Sequence, residues 1–279
     1  MKQKRIVTVQ DISCLGKCSL TVALPILSAM DTEACVIPTA VLSTHTGGFS
    51  GYTFRDLTED ISPILNHWEK ENFKFDAIYT GYLGSEEQCR LMVELFDRFG
   101  TEDNLIFVDP AMADNGKLYP GFPSDFPQEM RKVCAKADVI DPNMTEACLM
   151  LGLDFPGKSG YAEEWVKDVL KKLCAMGCKK AILTGVIFED KQGAMAYDSQ
   201  TDTFASYFGE NIPKSFHGTG DIFSSALCGA LVRGQDMEQA LKTAVDFTVA
   251  AIKITAADPD HPAYGVRFEA ALPELIKNL

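Results

Sequence analysis

Gly218-Thr219-Gly220-Asp221 is the stretch of this sequence best suited to chemistry. Its glycines let backbone approach a ligand closely. The residues that follow, Ile222, Phe223, Ala226, Leu227, Ala230 and Leu231, are apolar at helical spacing, and Gly234 stands where a C-terminal cap belongs. Asp221 therefore falls in the first turn of a helix, where free amides and the macrodipole make an anion site. A carboxylate there can take the proton of an attacking hydroxyl while the amides hold the oxygens of a transferring phosphoryl group. Such transfer needs mainly positioning and charge stabilisation. Taken alone, the same four residues read equally well as a glycine-rich turn whose aspartate complements the helix dipole.

A second signal lies at the ends of four apolar runs, Ile78-Tyr79-Thr80, Phe107-Val108-Asp109, Val139-Ile140-Asp141 and Leu183-Thr184. Ligands of open parallel sheets bind outside the carboxyl ends of the strands. Two aspartates and two threonines arriving there suit cation-bound phosphates. Singly, Asp109-Pro110 and Asp141-Pro142 read as turn starts; their shared placement tips the reading toward function.

The elements that must position these groups alternate along the chain. Strands are predicted at Ile6–Gln10, Ala34–Ile37, Ala77–Thr80, Leu105–Asp109, Val139–Asp141 and Ala181–Thr184. Helices are predicted between them at Ser19–Met30, Ser62–Asn72, Ser85–Phe99, Asp125–Ala137 and Tyr161–Met176, with Ser85-Glu-Glu-Gln88 as a capping box. Gly193–Asp198 and Thr203–Phe208 read as a hairpin at a sheet edge, and helices follow at Asp221–Arg233, Asp236–Ala256 and Phe268–Lys277. The alternation implies an α/β fold, a three-layer α/β/α sandwich with a mostly parallel sheet between helices. No repeat or linker interrupts residues 1–279, so one domain is expected.

Composition narrows the partners. The 279 residues carry 26 Lys+Arg against 39 Asp+Glu, a net charge of −13, which disfavours nucleic acid and anionic membrane surfaces. The nine cysteines show no disulfide framework, and several lie beside apolar residues, so they read as thiols of a reducing cytosol. The run Ile6–Val9 is too short for a secretory signal, and no apolar stretch approaches a membrane span. A cytoplasmic enzyme of small anionic ligands is the expectation.

Further segments then fall into an order. Thr44-His45-Thr46-Gly47, Thr80-Gly81-Tyr82-Leu83-Gly84-Ser85-Glu86-Glu87-Gln88, Asp109-Pro110-Ala111-Met112-Ala113-Asp114 and Asp141-Pro142-Asn143-Met144-Thr145-Glu146 precede Gly218-Thr219-Gly220-Asp221. The set resembles the bacterial pyridoxal kinases of the ribokinase-like superfamily over most of the chain. That resemblance implies phosphorylation of the 5′-hydroxyl of a vitamin B6 vitamer by ATP with Mg2+, a monovalent cation such as K+, and a homodimer. It makes Asp221 the general base and gives Gly218, Thr219 and Gly220 the anion-hole amides. It assigns Asp109, Asp114 and Glu146 to the metal, directly or through water, places Asn143 in a metal-organising Asn-x-x-Glu, and puts Thr184 beside the phosphates. His45, Thr46, Gly47 and Tyr82 would surround the pyridine ring. Without the resemblance, Asn143 and Glu146 are an N-cap and its capping-box partner, Asp114 belongs to a solvated loop, and His45 and Tyr82 are ordinary half-buried residues.

Three positions depart from the family pattern. Asp11 stands where relatives usually have Ser, and a carboxylate suits a substrate amine or hydroxyl better than an aldehyde. Ala113 replaces a usual Gly, and Asp141 a usual Thr or Ala, which leaves the cation role of Asp141 open. Gly152–Ser159 matches the P-loop pattern, but a helical segment precedes it where a P-loop needs a strand, so a chance match is expected. Two other readings stay open: a hydroxymethylpyrimidine kinase, which His217 before Gly-Thr-Gly favours and Asp221 disfavours, and a non-catalytic B6-binding protein.

Overall fold

The computed structural model describes residues 3–261 and 263–279. In chain order the elements are β1 (Lys4–Leu15), α1 (Leu20–Ala29), β2 (Thr32–Thr44), β3 (Phe54–Asp56), α2 (Thr58–Lys70), β4 (Ala77–Thr80), α3 (Glu86–Phe99) and β5 (Leu105–Val108). A small hairpin, β6 (Ala113–Asp114) and β7 (Lys117–Leu118), precedes α4 (Phe126–Cys134), β8 (Val139–Ile140), α5 (Met144–Leu151) and α6 (Glu163–Cys174). Then come β9 (Lys180–Phe188), β10 (Lys191–Asp198), β11 (Thr203–Glu210), α7 (Thr219–Val232), α8 (Met237–Ala256), a 3-10 turn (Phe268–Ala270) and α9 (Leu272–Lys277).

Nine strands form one sheet in the order β11-β10-β9-β8-β5-β4-β1-β2-β3. The six from β9 to β2 pair parallel, and antiparallel strands close both edges. Side chains of the central strands alternate between two apolar layers. Ile78, Val108, Ile140 and Leu183 face the layer of α2 to α6, whereas Tyr79, Phe107, Val139 and Ile182 face α1, α7 and α8. The fold is thus the expected sandwich.

The same alternation aims the site. Because Val108 and Ile140 face one layer, the next residues, Asp109 and Asp141, turn toward α7. Helix α7 runs almost wholly inside the protein, with Ile222–Ala230 all buried, so its first turn is fixed against the strand ends.

Several expectations change in detail. Strands β1 and β2 run well past Gln10 and Ile37 and form an overhang beyond the rest of the sheet. Their register shifts between Gln10 and Ile12, where Thr39 and Ala40 of β2 bulge opposite the single residue Asp11. Helix α2 starts a turn before Ser62, where Asp56 Oδ1 accepts from the Thr58 amide at 2.7 Å. Ser85 caps α3 as predicted, but Gln88 does not close a capping box: its Oε1 accepts from Gly84 N at 2.7 Å and its amide donates to Thr39 O at 3.0 Å. The expected last helix divides into a 3-10 turn and α9 at Pro273, which cannot donate a backbone bond. All nine cysteines are free, and no helix among the described residues is long and apolar enough to cross a membrane.

Candidate active site

Gly218 caps α7 with φ +82°, and a Cβ there would lie 1.9 Å from the Lys17 carbonyl oxygen. Only glycine meets both demands. The next residues leave their amides free, and Gly220 has open space where a side chain would be. Asp221 follows in the first turn. Burial, and after it the charge of Asp109, pushes its carboxyl up to about 8, while the Ser19 amide pulls the other way. Asp221 and the acidic strand end therefore lie close enough to feel each other's charge.

Across from α7, Asp109 is 8% exposed, Asp141 2% and Glu146 2%. No lysine or arginine among the described residues offsets them. Burial first and mutual repulsion second raise Asp109 and Asp141, and burial raises Glu146 against the pull of three amides. Ser224, one turn after Asp221, donates to Asp141 Oδ2 at 2.6 Å. Asp141 Oδ1 is buried with no hydrogen-bond partner among the described residues, as is the Thr80 hydroxyl two strands over. An orphaned carboxylate oxygen among buried acids with no lysine or arginine beside them has the donor chemistry of a cation site.

Asn143 and Glu146 do form the capping box of α5. Glu146 Oε2 accepts from Asn143 N at 2.9 Å; its Oε1 accepts from Met112 N at 3.0 Å and Ala113 N at 3.3 Å. Asn143 also donates to Ala113 O at 2.8 Å. Together they seat the hairpin of β6 and β7, a tight Asn115-Gly116 turn that holds Asp114 at the surface, rather than the loop its polarity suggests. Asp114 is exposed and accepts from both nitrogens of Asn115. The Tyr119 ring lies among these acids: burial, then Glu146, Asp109, Asp221 and Asp114 in that order, raise its hydroxyl. Thr184 N donates to Pro142 O at 3.0 Å, tying β9 to the same strand ends. Among the described residues no three His, Cys, Asp or Glu side chains could hold a metal by themselves. This suits magnesium, which takes one or two carboxylates and fills its shell with phosphate oxygens and water.

The other end of the cleft is assembled from the overhang. The bulge aims Asp11 inward, 6% exposed, where Ser13 donates to its Oδ2 at 3.1 Å. Tyr82 lies near enough for the Asp11 charge to add to burial in raising its phenol to about 12. Phe122 meets the Tyr82 ring at 5.5 Å and stacks on Phe126 at 4.0 Å. His45 has both nitrogens engaged: Nδ1 accepts from Gly47 N at 3.0 Å, so Nε2 carries the proton and donates to Tyr264 O at 3.0 Å. Burial keeps this imidazole below its usual pKa, hence neutral. Thr46 is exposed beside it. His217 packs on Gly47, where a Cβ would fall 2.6 Å from its ring.

Asp109, Asp141, Asn143, Glu146, Thr184 and Asp221 thus meet at the carboxyl ends of the parallel strands, whereas Asp114 and Thr46 lie exposed at the margins. Sequence reasoning missed Ser19 and Ser224; Tyr119 and Phe122 belong to the Pro/Gly/aromatic-rich segment Tyr119–Phe126, which the sequence offers equally as a cover over the site or a surface loop. Ser224 left a signal, one turn beyond Asp221 on the same helix; Ser19 reaches the site through the fold. The P-loop match is excluded on geometry. Gly152 ends α5 in the left-handed conformation, φ 67°, and the segment up to α6 is a surface connection with Lys158 exposed.

An open α/β sheet with a helix N-terminus and a half-buried carboxylate facing acidic strand ends defines a phosphotransferase that acts on a hydroxyl group. Comparison with known proteins agrees. The chain belongs to the phosphomethylpyrimidine kinase family, whose profile matches residues 24–266, and it has the ribokinase-like fold. A Bacteroides thetaiotaomicron protein provisionally named a phosphomethylpyrimidine kinase, crystallised with pyridoxal, superposes with TM-score 0.92 at 37% identity, covering 98% of this chain and 96% of that one. Pyridoxal kinase of Lactobacillus plantarum superposes with TM-score 0.88 at 29% identity over 98% and 97%. Pyridoxine kinase of Bacillus subtilis is 29% identical over 186 residues, 64% of each chain.

Proposed function

We propose that this protein uses MgATP to phosphorylate the 5′-hydroxymethyl group of vitamin B6 vitamers, feeding pyridoxal 5′-phosphate salvage. The observation that carries the reading is the neighbourhood of Asp221: at the start of α7 its carboxyl feels the charges of both Asp109, among the acidic strand ends, and Asp11, which in turn acts on Tyr82. The acceptor ring sits against Tyr82 and Phe122, oriented by Asp11, with His45, Thr46 and Gly47 closing the pocket. Its hydroxyl gives a proton to Asp221 as the oxygen bonds to the γ-phosphorus. The bond from that phosphorus to the β-phosphate oxygen breaks, and ADP leaves. Amides of Gly218, Thr219 and Gly220 hold the transferring oxygens. Asp109, Asp114 and Glu146, the last through water because its oxygens already accept three amides, would hold magnesium, which shields the phosphate charge. Asp141, Asn143 and Thr184 complete the phosphate and monovalent-cation surroundings, with potassium the expected ion. On this reading the chain is one cytoplasmic domain that pairs as a homodimer. Leu15 and Phe54, 47% and 48% exposed on the overhang, are the apolar side chains a second copy would cover.

Asp11 favours pyridoxine and pyridoxamine over pyridoxal, because a carboxylate accepts from a hydroxyl or pairs with an amine and has nothing to offer an aldehyde oxygen. The family's name supports a second acceptor, hydroxymethylpyrimidine. Steady-state ADP release with MgATP and each of the three vitamers and hydroxymethylpyrimidine tests all of this. The highest kcat/KM is expected for pyridoxine or pyridoxamine. A clear pyridoxal preference overturns the role given to Asp11, a pyrimidine preference overturns the vitamin assignment, and no turnover at all favours a non-catalytic binder.

A further inference from the structure

Serine and threonine inside a helix ordinarily spend the hydroxyl on their own helix. Helix α8 shows the habit: Thr248 Oγ1 donates to Ala244 O at 2.8 Å and Thr255 Oγ1 to Ala251 O at 2.7 Å. Ser224 of α7 does otherwise. It is 2% exposed, and its hydroxyl donates across to Asp141 Oδ2 at 2.6 Å, the length of a bond to a charged acceptor. The bond joins the helix to a strand end 83 residues earlier in the chain. Because Ser224 follows Asp221 by three residues, the two side chains leave α7 on one face.

The tether holds one oxygen of Asp141 and leaves the other. Oδ1 is buried without a partner among the described residues, on a side chain 2% exposed. Its neighbours are spent differently. Asp109 Oδ1 accepts from the Ala111 amide at 3.1 Å, and both oxygens of Glu146 accept from backbone amides. Of the three acids, Asp141 alone has a buried oxygen with no partner among the described residues. A serine and a carboxylate that served only to pin a helix to a strand would not need it. An unpaired buried carboxylate oxygen costs stability, and an apolar pair would pack there without that cost. The arrangement suits an oxygen kept for a ligand.

We propose that Ser224 is a positioning residue that turns Asp141 so that its Oδ1 meets a potassium ion, and that the Ser224–Asp141 pair sets how much potassium the site needs. The inference rests on the reading above that this edge takes cation-bound phosphates, and not on which acceptor the ring end holds. The pair also ties the ion to the base. Ser224 and Asp221 share α7, so an ion seated on Asp141 steadies the helix start that holds the phosphoryl oxygens.

The test compares wild type, Ser224→Ala, Asp141→Ala and the double variant in potassium and in tetramethylammonium at equal ionic strength. Turnover at varied potassium, MgADP binding by calorimetry and melting of the ligand-free protein are read together. For Ser224→Ala the potassium concentration giving half-maximal turnover rises on the order of 10-fold, as for one hydrogen bond to a charged group. Excess potassium restores its kcat, and its pyridoxine KM stays within twofold of wild type. MgADP binding weakens at low potassium and recovers at high potassium. Asp141→Ala loses most of the potassium response, and adding Ser224→Ala to it changes nothing further, since the serine acts through the acid. A serine that only braces the helix gives a loss of kcat that potassium does not restore, and losses that add in the double variant. Either result overturns the proposal, as does a potassium requirement unchanged in Ser224→Ala. If wild type neither binds MgADP nor turns over, the functional reading falls and melting decides the Ser224 claim. Potassium should then raise the wild-type Tm by roughly 2–4 °C over tetramethylammonium, and that of Ser224→Ala by less than half as much. Equal shifts in the two proteins, or none in wild type, sink it.

Discussion

The two ends of the cleft are built on opposite principles. At the ring end, several polar groups are engaged by the protein: His45 spends both nitrogens on backbone partners, Asp11 accepts from Ser13, and Gly47 is wedged against His217, while Gln10 Oε1 and Thr44 Oγ1 are left without a partner among the described residues. At the phosphate end, Asp109, Asp141 and Glu146 are buried together with no lysine or arginine among the described residues beside them, and Asp141 Oδ1 finds no partner among those residues. The first is a rigid mould whose shape exists before the ligand. The second is a charge imbalance completed by a ligand that brings its own cations, as a metal-bound triphosphate does. Stored repulsion at the phosphate end thus favours nucleotide binding, while the preformed ring end supplies selectivity.

The contrast breaks most visibly at the residue between the two ends. Asp221→Asn keeps the size of the side chain and removes the proton acceptor. Turnover should fall on the order of 10²- to 10⁴-fold, with melting temperature and ligand KM values near wild type. A variant that retains turnover would mean the hydroxyl loses its proton elsewhere.

The imbalance also has a pH signature. The Asp221 carboxyl is raised from its ordinary 3.8 to about 8, and Asp109, Asp141 and Glu146 move the same way. The folded protein therefore binds more protons than the unfolded chain, and stability must fall as pH rises. This contribution is full below the unfolded values near 4 and lost as pH climbs through about 8. Ligand-free protein should lose roughly 2–8 °C of melting temperature between pH 6 and pH 9, the shift that about 1–2 kcal/mol gives a chain of this size. MgATP should flatten the slope, because cations offset the same charges. A flat profile without ligand would show the acids to be compensated by something other than a proton.

The smallest effect is a control. Lys158→Ala should leave kcat/KM within about twofold, since a surface charge far from a reaction contributes little. A collapse of activity would move the nucleotide to the Gly152–Ser159 connection.

Much of this was legible in the residues. The alternation of short apolar runs with amphipathic stretches gave the sandwich, and Ala77–Thr80 is a strand with the expected bounds, because a strand buried on both faces is a continuous apolar run. The base and the acids were legible through one rule, that strands end and helices begin at the ligand edge. What stayed hidden depends on contacts distant in sequence. The overhang of β1 and β2 continues past Pro38 with no alternating pattern, so the bulge that aims Asp11 left no mark. Ser19 reads as the first residue of a helix until its dihedrals are known, and Tyr119, in a segment legible only as a possible cover, comes among the acids because Glu146 seats the hairpin before it. His45 reads as a ring-pocket residue in the sequence; the structure adds that its nitrogens belong to the backbone.

The most direct measurement is a crystal structure with magnesium, a non-hydrolysable ATP analogue and pyridoxine bound together. The terminal phosphate should lie between the amides of Gly218–Gly220 and the acids Asp109 and Asp141, with the pyridoxine 5′-hydroxyl in hydrogen-bonding reach of Asp221. A nucleotide seated on the 152–159 connection, or a pyridoxine whose 5′-hydroxyl points away from Asp221, would contradict the account.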